Sequence, residues 1–139
     1  MIKHKSTFKV TWRDEDDGGI TFYPYFYKWM NQASQDLFHF LKAHNNQLNN
    51  VQVEFPIEEA KCDFKSSVFY GDVIHLITTI VEIREKGVKL EHVFYKEETL
   101  IAVGYERRSW AVLSERKLKP IPIPNIIYEV MVSMKMLGN

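Results

Sequence analysis

The sequence has a single cysteine, only six glycines and five prolines, and no surplus of either charge, and each shortage removes a class of protein. Cys62 alone can form neither an internal disulfide nor a cysteine-based zinc site, which fits a reducing compartment and makes the cytoplasm the expected location. Lysine and arginine total 18 and aspartate and glutamate also total 18, so no broad basic face is available to follow a phosphate backbone. Nucleic acid is therefore not an expected partner. No apolar run approaches the roughly 18 residues of a membrane span, and Met1 to Val10 carries basic residues without the apolar stretch of a signal peptide, so no membrane partner is expected. There is no internal repeat and no low-complexity stretch.

What is present reads as one globular domain spanning residues 1–139, with 45% hydrophobic residues and a heavy 14% of aromatics. Phe8, Val10 and Trp12 alternate with polar neighbours, predicting a first strand from Ser6 to Trp12 with one buried face. Pro24 suits a first helical turn. After it, Phe26, Trp29 or Met30, Ala33, Leu37, and Phe40 or Leu41 recur at helical spacing, predicting a largely buried helix from Pro24 to Ala43. Beyond Pro56 the β-branched and aromatic runs Ile57–Ser67, Val73–Arg84, Val88–Lys96 and Leu100–Leu113 predict four more strands. Turn residues separate them, as in Tyr70-Gly71-Asp72 and Glu85-Lys86-Gly87. Pro120, Pro122 and Pro124 suggest an extended tail before a short helix from Ile126 to Leu137. The order is α+β: a curved antiparallel sheet of about five strands wrapped around one long central helix. Such a sheet leaves an edge to cover, and a second copy of the chain is the usual cover.

Between the first strand and the helix lies Arg13-Asp14-Glu15-Asp16-Asp17-Gly18-Gly19, where acids and glycines replace any periodic pattern. A solvated turn is the plain reading, and the paired glycines argue for more. Asp14, Asp16 and Gly19 fit the first, third and sixth positions of a calcium loop, but Gly18 and Tyr25 stand where the fifth and twelfth ligands belong. A catalytic reading remains: a carboxylate delivered to a helix N-terminus lies beside backbone N–H groups that stabilise an oxyanion while it attacks or activates water. Gly18 and Gly19 would let the backbone approach a substrate carbonyl closely.

The run Trp12-Arg13-Asp14-Glu15-Asp16-Asp17-Gly18-Gly19-Ile20-Thr21-Phe22-Tyr23-Pro24 resembles the signature of the 4-hydroxybenzoyl-coenzyme A thioesterase family of hotdog-fold enzymes. Asp14, Asp16, Gly19, Ile20, Tyr23 and Pro24 match in place, and Phe55-Pro56, Asp63-Phe64 and Phe69-Tyr70-Gly71-Asp72 extend the similarity along the chain. The resemblance implies an acyl-coenzyme A thioesterase with a hotdog fold, Asp16 as nucleophile or general base, the Tyr23 N–H polarising the thioester carbonyl, and backbone N–H groups from Gly19 to Tyr23 holding the developing charge. Asp14 becomes a supporting substrate-binding residue. Arg84 and Lys86 fall where the family holds coenzyme A phosphates, although Glu85 stands where another basic residue can occur. Relatives commonly carry proline and alanine after the catalytic aspartate, whereas this chain has Asp17 and Gly18. The implied acyl group is aromatic, of the hydroxybenzoyl or dihydroxybenzoyl type; a short aliphatic chain is the alternative. No cofactor or metal is expected, coenzyme A being part of the substrate, and the expected assembly is a homodimer pairing further into a tetramer as a dimer of dimers.

Other reactive residues are less promising. The five histidines lack metal-site spacing, and packing or surface is the expected role of His92 and Tyr95 on their strand. Cys62 has no visible base, and Ser66-Ser67 lacks the glycine elbow of a serine nucleophile. A hydratase would need a histidine and a carboxylate across the pocket. The acidic loop has no histidine and the helix no glutamate, only Asp36. A non-catalytic acyl-carrier binding module is the rival from another class.

Overall fold

Alternation on strands and a helical stripe meet in one interface: the apolar face of a long helix lies on the inner face of an antiparallel sheet. The structure is a computed structural model that describes residues 4–11, 23–43 and 52–137, the last four of these for their backbone course alone. Its elements are β1 (His4–Lys9), α1 (Pro24–Lys42), β2 (Val53–Glu54), β3 (Ile57–Phe64), β4 (Val73–Arg84), β5 (Gly87–Lys96), β6 (Thr99–Ser109), β7 (Ala111–Ser114), β8 (Lys117–Pro120) and α2 (Asn125–Leu137). The main sheet runs β1-β4-β5-β6-β3, antiparallel at every junction, as the hotdog resemblance implies. Register shifts at Ile57/Glu59, Ile80/Glu82 and Phe94/Tyr95 mark bulges, which bend strands and help a sheet curl over a helix.

α1 forms where the spacing predicts. Pro24 occupies its first turn, where its missing N–H costs no hydrogen bond, and Lys42 complements the dipole in its last. It buries Phe26, Trp29, Met30, Ala33, Ser34, Leu37, Phe38 and Leu41; Phe40 faces out and Leu41 takes the inward place. The buried side chains other than Ser34 join two apolar clusters, one around Phe26, Trp29 and Met30 with Phe94, Leu76 and Val10. The other surrounds Leu37, Phe38 and Leu41 with Trp110, Leu90 and, from α2, Ile127 and Met131.

Three sequence expectations need correction. The first strand ends at Lys9: the backbone of Val10 turns to the Gly71-Asp72 turn, its N–H donating to the Asp72 carbonyl at 2.9 Å and its carbonyl accepting from Gly71 at 2.9 Å. Trp12 lies outside the described residues. The strand beginning at Ile57 stops at Phe64, because the N–H groups of Lys65 and Ser66 both turn to the Ile101 carbonyl. The run Leu100–Leu113 is two strands. At Trp110 the N–H donates to the Lys86 carbonyl (2.8 Å) and the carbonyl accepts from Ile121 (2.8 Å), so the chain leaves the main sheet there. It enters a small one of order β2-β7-β8, and part of the proline-rich stretch is strand β8. The β7–β8 turn puts Glu115 and Arg116 at φ 49° and 64°, the left-handed pair that a two-residue hairpin demands, in residues that give no glycine signal.

One close approach fixes the β4–β5 hairpin against β6. A β-carbon on Gly87 would collide with the backbone carbonyl oxygen of Arg108. Gly87→Ala should therefore force the strands apart and destabilise by about 2 kcal/mol, read as a lower urea midpoint at unchanged slope.

Candidate active site

Tyr23, the residue before α1, is exposed, and the helix start beneath it is ringed by aromatics. Phe26 sits edge-on to Phe64 and Phe94 with ring centres 5.1 Å apart in each pair. Trp29 stacks on Phe8 at 5.1 Å and meets Tyr25 at 6.3 Å. Phe64 is partly open to solvent, so this end of the helix presents an aromatic wall beside backbone N–H groups. Asp14, Asp16 and Gly19 lie outside the described residues.

The basic pair lies elsewhere. Arg84 and Lys86, on and just beyond β4, line a cavity of about 380 Å³ together with Arg107 and Arg108 of β6, Glu58, Glu85 and Ser109. Arg84 is paired through Nε with Glu82 at 2.9 Å, and that hydrogen bond raises the Arg84 pKa and lowers that of Glu82. Arg107, reaching the cavity from the neighbouring strand, adds basic character that Glu85 withholds. Its signal was in the sequence, as the adjacent Arg107-Arg108 on a strand beside the hairpin.

These two places are far apart in one chain. Phe26 touches Phe94, while the hairpin begins at Gly87 on the same strand, a separation of roughly 23 Å at the usual strand rise. Helix α1 spans the same distance: its last turns meet Trp110, whose N–H bonds Lys86.

Midway between them lies a polar band of which the sequence singled out only His92, with packing or surface as its expected role. His92, fully buried on β5, has its Nδ1 2.8 Å from the Thr78 hydroxyl and its Nε2 3.0 Å from Oε1 of Glu106. Ser34 of α1 donates its hydroxyl to the same Glu106 oxygen. Arg108 clasps Glu106 through Nε and Nη2, both at 3.0 Å, and donates to the Phe55 carbonyl and to Oδ1 of Asn31, each at 2.8 Å. The hydrogen bonds are mutually consistent if the ring proton is assigned to Nε2 and donated to Glu106, with Thr78 donating to Nδ1. Burial opposes the charge on Glu106, but hydrogen bonds from His92 and Arg108 outweigh it and lower its pKa to about 2.

Serine, histidine and carboxylate in contact suggest a nucleophilic triad, yet the geometry forbids one. Ser34, at 3.2 Å, and Glu106 meet the same ring nitrogen, whereas a triad needs them on opposite nitrogens. Among the described residues, His92 and Glu106 line neither of the two cavities near Arg108. Cys62 is buried, and burial with the nearby Asp63 pushes its thiol up to about 12, which keeps it inert. Among the described residues no three His, Cys, Asp or Glu side chains converge as metal ligands do.

With this geometry in place, the sequence profile of the thioesterase-like superfamily matches residues 10–131. The chain belongs to that superfamily. A gentisyl-coenzyme A thioesterase of known structure is 34% identical, with a TM-score of 0.74 over 92% of this chain and 98% of the other. Two more distant structures share the fold. The 4-hydroxybenzoyl CoA thioesterase from Pseudomonas sp. strain CBS-3 is 21% identical, with a TM-score of 0.78 over 94% of this chain and 99% of its own. The 1,4-dihydroxy-2-naphthoyl-CoA thioesterase from Synechocystis is 18% identical, with a TM-score of 0.75 over 96% and 98%. No curated protein sequence matches significantly. Membership in the thioesterase-like superfamily upholds the enzyme class read from the sequence. Among the described residues no helix is long and apolar enough to cross a membrane.

The buried band makes this thioesterase-like chain acid-sensitive in a defined window. Because the folded pKa of Glu106 lies below the usual 4.5, its contribution to stability is complete above that value and is lost as pH falls toward about 2. Glu106→Gln should flatten stability across that window. At neutral pH it should cost about 3–5 kcal/mol, since Arg108 is left buried without its counter-charge. Urea unfolding at a series of pH values measures both effects.

Proposed function

We propose that this chain hydrolyses an aryl-coenzyme A thioester of the hydroxybenzoyl or dihydroxybenzoyl type. The observation that carries the reading is the 34% identity, over nearly the whole of both chains, with a gentisyl-coenzyme A thioesterase. The aromatic wall at the start of α1 supports an aryl rather than an aliphatic acyl group.

In this mechanism the thioester carbonyl lies at the helix N-terminus, where backbone N–H groups from Gly19 to Tyr23 stabilise the developing oxyanion. Asp16 attacks the carbonyl carbon, the carbon–sulfur bond breaks, coenzyme A leaves as thiolate, and water then cleaves the acyl anhydride. Alternatively Asp16 deprotonates the attacking water, and the same acid and thiol result. Asp14 supports the loop. Arg84 and Lys86, joined by Arg107, hold coenzyme A phosphates in the basic cavity. Coenzyme A is substrate, and no resident cofactor is required.

The roughly 23 Å between the helix start and the basic hairpin favours a site shared between two copies. Edge strand β3 suits such pairing: it buries only Cys62 and exposes Ile57 and Phe64. A homodimer, pairing further as a dimer of dimers, is the assembly this reading expects, working in the cytoplasm.

The test is thiol release from a panel of aryl and aliphatic acyl-coenzyme A thioesters. Aryl substrates should turn over, and Asp16→Asn should lower kcat by about 10²–10⁴-fold. Preference for short aliphatic chains would overturn the aryl assignment, and no turnover across the panel would favour an acyl-carrier binding module. Arg84→Ala with Lys86→Ala should raise KM for coenzyme A thioesters about tenfold and leave truncated pantetheine thioesters unaffected, a selectivity that ties the basic cavity to the nucleotide phosphates.

A further inference from the structure

We propose that Ser34 and Asn31 are positioning residues: their bonds to Glu106 and Arg108 set where α1 lies along the sheet, and so where its N-terminus meets the thioester carbonyl. The inference rests on the helix start being the oxyanion site.

Beyond these bonds and a half-exposed contact of Asp36 on α1 with His4 on β1 (3.6 Å), the contact between α1 and the main sheet is apolar, and apolar contact is non-directional. Two clusters of aromatic and aliphatic side chains, one toward each end of the helix, supply burial without a preferred direction. A hydrogen bond adds direction. Asn31 and Ser34, three residues apart, share a face of α1 and bond Arg108 and Glu106, two residues apart on β6. Two bonds to one strand define both the height and the rotation of the helix.

The acceptors are themselves held. Glu106 is gripped by Arg108 from its own strand and by His92 from β5, and His92 is held by Thr78 from β4. Three strands thus lock the groups that α1 grips, in a band where Ser34, Thr78, His92, Glu106 and Arg108 are each at most 2% exposed. A buried, fully satisfied polar set of this kind specifies geometry more than it adds stability. Ser34 follows Pro24 by ten residues, about 15 Å along a rigid helix, so a shift at the band is passed to the first turn. Displacement of about 1 Å at a reacting centre can cost about 10²-fold in rate.

The test compares Ser34→Ala/Asn31→Ala with the native protein on an aryl-coenzyme A thioester, well below the unfolding transition. The double variant should lose about tenfold in kcat while KM stays within about twofold. Asn31→Asp in the Ser34→Ala background restores an acceptor for Arg108 and should recover most of the loss. Asn31→Ala alone, at an exposed position, keeps the fold and should show a smaller fall in kcat. Unchanged kcat in the folded variants, or a loss that appears only near the unfolding transition, would overturn the proposal. If the native protein turns over no thioester, the functional reading fails and amide hydrogen exchange decides the rest. Faster exchange in α1 with β4, β5 and β6 unchanged supports the lock, whereas unchanged exchange in α1 refutes it.

Discussion

Everything in this fold hangs on the burial of one face of α1 against the inner face of the main sheet. Eight helix side chains go into that contact, and fully burying a large apolar side chain contributes about 1.5–3 kcal/mol. The sheet must bulge and curl to reach them, and α2 packs its Ile127 and Met131 over the distal half. On the proposed function the same helix also offers its N-terminal backbone donors to the oxyanion, so packing and chemistry would share one rigid body.

Placing charge inside such a contact is costly unless every group is paired. The band of Ser34, Thr78, His92, Glu106 and Arg108 meets that condition, with Arg108 alone bonding Glu106, Phe55 and Asn31. Its place between two apolar clusters explains why neither cluster is continuous along the helix. Gly104 serves the same contact from the sheet side: a β-carbon there would lie 2.7 Å from Sδ of Met30, so the end of that side chain would have to move aside.

Much of this was legible in the chain. Helical spacing located α1 to within a residue at its C-terminal end, and period-two runs located β4 and β5. The division of Leu100–Leu113 at Trp110 was not legible, since nothing local distinguishes a strand that continues from one that changes sheets. Only the partners of the Trp110 backbone, Lys86 and Ile121, decide it. The short β2 and the left-handed Glu115-Arg116 turn were hidden for the same reason. The structure turns Val88, Leu90, His92 and Phe94 inward, whereas the sequence left His92 between packing and surface, since alternation does not name its partners.

By itself the sequence determined which residues are apolar, at what period, and which acids and glycines precede Pro24, because these are properties of neighbours along the chain. From them follow the α+β order, the buried helix and the family signature around Asp16. Tertiary structure decided what depends on residues distant in sequence. It separated the basic hairpin from the helix start by the length of the sheet, and it brought Arg107 beside Arg84 and Lys86. It also gathered Ser34, Thr78, His92, Glu106 and Arg108 into one network. The physical reason is that a hydrogen bond requires its partners within about 3 Å, and only strand register and the seat of α1 on the sheet supply that proximity.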